Sequence, residues 1–128
     1  MSGEPIEGQI LLLTAAKASV ASTRLPELVE RAQAHLAPER ERYRQEYERV
    51  HAGDQREAFL VEWGHWDALG EALEASEREL SAIRRAHEEQ LLRIGRRTDR
   101  EDEFETALEI REPVCIGTND DSGREAKR

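Results

Sequence analysis

Two segments place a carboxylate three residues before an imidazole, Glu48-Arg49-Val50-His51 and Glu62-Trp63-Gly64-His65. On a helix that spacing puts both groups on one face, as in di-iron bundles, where two such pairs and further inward glutamates hold the metal. With 22 glutamates among 128 residues, matches of this kind arise by chance. Gly64 also interrupts the second pair, and no additional inward glutamate pair stands out. We therefore expect no metal and no cofactor.

The remaining reactive types are sparse. His87 has the spacing of an apolar helix face, where a core histidine bonded to a backbone carbonyl is expected. His35, His51 and His65 are expected at the surface or at caps. Cys115 is the only cysteine, which excludes an intramolecular disulfide, and its neighbours Val114 and Ile116 mark a buried or half-buried thiol rather than a nucleophile. No nucleophile motif, glycine-rich phosphate loop or Walker-type lysine is present, so the sequence points away from an enzyme.

One basic stripe stands out on an acidic chain. Arg93, Arg96, Arg97 and Arg100 follow i, i+3, i+4, i+7 spacing, with Asp99 the only opposing charge among them. These four are the candidate contacts for a partner or for nucleic acid. A short turn at Glu74-Ala75-Ser76 between two helices even suggests a helix-turn-helix, although Glu77, Glu79, Glu88 and Glu89 would then face phosphates. We favour the other assignment, in which arginines at a helix end satisfy orphan carbonyls and the macrodipole or bridge to carboxylates of the 39–48 helix.

These residues must be positioned by amphipathic helices. Ile10 to Ala21 predicts a first helix, and Leu25, Leu28, Val29, Ala32 and Leu36 mark one face of a second, capped by Ser22 or Thr23. Pro38 should kink or restart it, after which Tyr43, Tyr47 and Val50 prolong the stripe to Gly53. Phe59-Leu60-Val61 reads as a brief strand, and Trp66, Leu69 and Leu73 as a short helix. Ser76 with Glu79 forms a capping box that opens the longest helix, to about Gly95 or Arg97, with Leu80, Ile83, His87, Leu91 and Ile94 on its apolar face. Asp99 can cap a last helix carrying Phe104, and alternation from Leu108 to Ile116 around Pro113 predicts an edge strand able to pair with Phe59 to Val61. The expected fold is mainly α: a small bundle of four to five helices with at most a short two-stranded β ribbon. Residues 8–116 form its single domain, between polar tails at 1–7 and 117–128.

Composition supplies the setting. Of 19 cations only Lys17 and Lys127 are lysines, against 28 acidic residues and a net charge of -9. Carboxylates paired with weakly hydrated guanidinium groups stay soluble where salt is molar, which suggests salt adaptation over the alternative of a GC-rich genome that favours arginine codons, while the net charge opposes nucleic acid. The stretch from Ile10 to Ala21 superficially resembles a secretory signal, but its leader holds Glu4 and Glu7 without a cation and Lys17 interrupts it. We expect a cytoplasmic protein without a membrane span, acting through a protein partner or self-association. A DNA-associated regulator using the arginine stripe is the alternative, and a helical metal or small-ligand binder comes third.

Trp66 to Leu73 followed by Ser76 to Leu80 faintly resembles a helix pair of death-fold adaptors, from which no function is carried. The chain as a whole, including Arg56-Glu57-Ala58-Phe59-Leu60-Val61, Gly64-His65-Trp66, Arg84-Arg85-Ala86-His87 and the run Glu103 to Arg111, resembles small uncharacterised haloarchaeal proteins with a domain of unknown function. That resemblance implies a halophilic cytosol and brings no site residues with it.

Overall fold

Three strands cross the computed structural model, which describes residues 3–118: β1 (Glu48–Ala52), β2 (Arg56–Glu62) and β3 (Arg111–Gly117). They form one antiparallel sheet in the order β1-β2-β3. The helices are α1 (Gly8–Ala18), α2 (Arg24–Leu36), α3 (Arg40–Glu46), α4 (His65–Leu73), α5 (Glu77–Thr98) and α6 (Glu101–Ala107), with a 3-10 turn at Ala37–Glu39 joining α2 to α3. The expectation of a helical bundle with at most a two-stranded ribbon is therefore corrected to a mixed α/β fold with a helical majority.

The strand missing from the sequence reading is β1. Tyr43, Tyr47 and Val50 have helical spacing, yet α3 stops at Glu46 because Tyr47 turns to extended backbone (φ -124°, ψ 164°). As an edge strand β1 fully buries only Val50, so neither alternation nor an apolar run announces it. A register shift between Arg49 and His51 also breaks its period of two.

The central strand β2 is longer than its apolar run because polar residues at its start are buried with partners. Arg56 Nε donates to the carbonyls of Glu4 and Pro5 (2.9 and 3.0 Å), and the Glu57 carboxylate accepts from Arg44 and Arg49. Strand β3 pairs with β2 over its full length, Phe59 opposite Val114 and Leu60 opposite Pro113.

The outer edge of β3 is closed by side chains rather than by another strand. Trp66 Nε1 donates to the Pro113 carbonyl (2.8 Å), and the Cys115 N–H donates to His87 Nδ1 (2.9 Å). Gln33 takes the Cys115 carbonyl and the Gly117 N–H, and Arg40 donates to the Gly117 carbonyl. Pro113 has no N–H to leave unpaired on that edge. Helices α2 to α5 thus satisfy the backbone groups that would otherwise template pairing with another chain.

Helix α5 packs against α1, α2, α4, α6 and β3 and organises the core. Its capping box is formed as its sequence predicts: Ser76 Oγ accepts from the Glu79 N–H and the Glu79 carboxylate from the Ser76 N–H, both at 3.1 Å. Asp99, expected to start α6, instead ends α5 in the left-handed region (φ 62°). The turn brings α6 so close that a Cβ on Gly95 would sit 2.9 Å from Glu101 Cα, so the position requires glycine.

The segment read as an N-terminal tail is seated on the fold from Gly3 onward. Gly3 N–H bonds to the Thr118 carbonyl (2.7 Å), and Ile6 is buried. Gly117, placed in the C-terminal tail from sequence, closes β3, while residues 119–128 of that expectation lie outside the described residues.

Candidate functional site

The four arginines proposed as contacts are each held by a carboxylate of this chain, though none by the 39–48 segment. Arg97 grips Glu7 with two bonds (2.6 and 2.9 Å), and Arg93 reaches the same carboxylate at 3.2 Å. Arg96 pairs with Glu101 (3.0 Å). Arg100 bonds Glu103 through two nitrogens at 2.9 Å, donates to the Val50 carbonyl at 2.7 Å and lies 4.6 Å over the Phe104 ring. Rather than one stripe facing a ligand, they form three local clasps that tie α5 and α6 to the N-terminal segment and β1.

Glu7 is the hub that sequence reading missed, since its partners lie more than eighty residues away. Buried Gln90 completes the hub, accepting from the Glu7 N–H (2.7 Å) and donating to its carboxylate (2.9 Å). The Arg97 hydrogen bonds, then Gln90 and the nearby Arg97 and Arg56 charges, hold the Glu7 carboxyl down at about 2 against the burial that opposes them. A carboxyl lowered in the fold stabilises it above the unfolded value near 4.5, and that stability is lost as pH falls towards about 2. We expect Glu7→Gln to cost about 1–3 kcal/mol at neutral pH, reduced from the full linkage because Arg97 is more than half exposed. Urea unfolding of both proteins at neutral pH and near pH 2 tests this, because the difference should vanish in acid.

The two Glu-x-x-His pairs do not become helix-face pairs. Glu48 and His51 lie on β1, whereas Glu62 ends β2 and His65 begins α4 after the turn at Gly64 (φ 98°). Among the described residues no group of three or more His, Cys, Asp or Glu side chains is placed to hold a metal ion.

His65 instead joins an aromatic cluster. The Tyr43 hydroxyl and His65 Nε2 are 2.5 Å apart, and the His65 ring meets those of Tyr43 and Tyr47 edge-on at 5.5 and 5.4 Å. Burial lowers the His65 pKa and raises that of Tyr43, so at neutral pH the phenol donates to a neutral imidazole. Glu112 on β3, also buried, accepts from the backbone N–H groups of Gly64 and Trp66 (3.2 and 2.9 Å) and so caps α4 from outside.

Beside this cluster the sheet ends in an open apolar surface. The last β2–β3 pair is Glu62 with Arg111, so Trp63 leaves β2 and Ile110 enters β3 at the same end of the sheet. Trp63 is 62% exposed and Ile110 71%, the two largest exposures among apolar side chains of the sheet region. Arg111 reaches across to Glu48 (2.8 Å), placing an ion pair at the rim.

His87 and Cys115 are both fully buried, but His87 accepts from a backbone N–H where a bond to a carbonyl was expected. Its Nε2 has no partner among the described residues, and its ring packs 4.6 Å from that of Trp66. Burial pushes the Cys115 thiol up to about 12, which leaves it protonated and non-nucleophilic.

No helix among the described residues is long and apolar enough to cross a membrane. No curated protein and no solved structure shows significant similarity to the chain. Residues 4–118 match a family described as a domain of unknown function, DUF8048, a span running from the segment that seats Glu7 to the bond partner of Gly3. The chain belongs to the DUF8048 family.

Proposed function

We propose that the protein acts by associating with a protein chain, not by catalysis, through the surface at the Trp63 end of the sheet. The observation that carries this reading is the exposure of Trp63 and Ile110, which directly follow and precede the paired residues Glu62 and Arg111 at one end of the sheet, with His65 of the aromatic cluster two residues beyond Trp63. Tryptophan and tyrosine dominate the energetic centres of protein interfaces, and charged residues such as Glu62, Arg111 and Glu48 suit a solvated rim. The nucleic-acid alternative draws no support from the arginine stripe, whose members are engaged by Glu7, Glu101 and Glu103. We assign the protein to a salt-rich cytoplasm, on its carboxylate–arginine pairs and its buried lone thiol.

A photo-crosslinking residue placed at position 63, compared with one at exposed Glu105, tests the surface. Crosslinks are expected at position 63, either between copies of the purified chain or to a distinct protein in cells, and should disappear when Ile110→Glu is added. Crosslinking at 63 no stronger than at 105, from a chain that sediments as a monomer, would refute the assignment. Unchanged unfolding midpoints are expected for these surface variants.

A further inference from the structure

The other end of β3 borders a cleft of about 630 Å3, within the range of small-molecule sites. One wall is a single face of the helical segment running from α2 through the 3-10 turn into α3, with Val29, Gln33, Ala37 and Arg40 spaced three to four residues apart. Ile6 and Leu11 line it from the N-terminal segment and α1. From Val29 to Arg40 this wall extends for roughly 16 Å at about 1.5 Å of rise per residue.

Within this lining the polar groups differ in how far they are committed. Gln33 spends both ends of its amide on Cys115 and Gly117. Arg40 spends one donor of its guanidinium, on the Gly117 carbonyl at 2.7 Å. Its Nε is buried without an acceptor, and no carboxylate pairs with it among the described residues. A guanidinium has five donors, so Arg40 retains both charge and hydrogen-bonding capacity at one end of an apolar trough. The acidic residues at the cleft, Glu4 and Glu30, are exposed, and Glu30 is ten residues before Arg40 on the same wall. One cation without a carboxylate partner among the described residues, with acids at the rim, suits a single negative charge, not a phosphate.

We propose that this cleft binds a small linear monocarboxylate, its carboxylate against Arg40 and its hydrocarbon chain along Val29, Ile6 and Leu11. Carboxylate recognition by arginine supplies orientation, and burial of the chain supplies the driving force.

Calorimetric titration of the whole chain with decanoate, below the concentration at which it forms micelles, tests the proposal beside decanol and decyltrimethylammonium. Saturable one-to-one binding of decanoate is expected, with decanol weaker and the cationic analogue not bound. Arg40→Gln should weaken decanoate by about tenfold or more, the loss of a charge-assisted hydrogen bond. Because Arg40 also bonds Gly117, a second variant, Ala37→Phe, obstructs the trough while leaving the cation in place and should abolish binding with the circular dichroism spectrum retained. The proposal is overturned if wild type shows no saturable binding, if the cationic analogue binds as well as decanoate, or if decanoate binds the folded Ala37→Phe protein as tightly as wild type.

Discussion

Trp66→Ala should lower the unfolding free energy by about 3–5 kcal/mol, the range for deleting a large aromatic side chain from a packed core. The indole is fully buried, packs at a tilt against the His87 ring with centroids 4.6 Å apart and satisfies the Pro113 carbonyl through Nε1 at 2.8 Å. Removing it opens a cavity between α4, α5 and β3 and strips a buried acceptor on the strand edge. Domains of this size hold roughly 5–15 kcal/mol in total, so the variant should be close to unfolding at moderate temperature. Urea titrations followed by circular dichroism measure the loss, and Trp63→Ala, on an exposed ring, serves as the control with a change of about 0.5 kcal/mol or less. Equal midpoints for wild type and Trp66→Ala would contradict the core assigned here.

Acid should destabilise the fold well before the carboxylates titrate. Burial holds the His87 imidazole neutral down to about 3, against 6.5 in an unfolded chain, since Nδ1 already accepts from Cys115 and the buried Nε2 has no partner for an added charge. Between those values the unfolded chain binds a proton that the folded chain refuses. The stability is therefore present above about 6.5 and is lost as pH falls towards about 3. At about 1.4 kcal/mol for each pH unit crossed, the loss from this one group is bounded at about 5 kcal/mol. His51 and His65, also lowered by burial, act in the same direction with smaller leverage because both are partly exposed.

His87→Gln isolates the effect. A glutamine oxygen can still accept from the Cys115 N–H, but it does not titrate, so the fall in stability between about pH 7 and 5 should flatten in the variant. Below about 4.5 the Glu7 clasp adds the same loss to both proteins, on top of the His87 loss that continues in the wild type towards about pH 3. Stability profiles of equal slope between pH 7 and 5 would show that His87 is charged or solvated in the folded state.

The two ends of β3 are finished differently. Exposed Ile110 precedes its first residue, its middle is sealed by Trp66, His87 and Gln33, and its last residues border the Arg40 cleft. Because side chains seal the β3 edge, the association proposed for the Trp63 end would use side-chain surface rather than strand addition to β3.

Much of this protein is written in local pattern. The capping box and the apolar face of α5, the α2 stripe from Leu25 to Leu36, the burial of Trp66 and the strand nature of the segment around Pro113 all follow from periodicity and capping chemistry, which act within a few residues. The sites depend instead on partners far apart in the chain. Glu7 meets Arg93 and Arg97 across more than eighty residues, Arg40 meets Gly117 across 77, and His87 finds its donor in Cys115 across 28. Strand β1 was invisible for a related reason, because its exposed edge residues need no apolar pattern when β2 supplies their hydrogen bonds. With 17 arginines facing 28 carboxylates, composition guarantees that ion pairs form but leaves their pairing open, and the packing of α5 against the N-terminal segment selects which charges meet, as Arg93 and Arg97 meet Glu7.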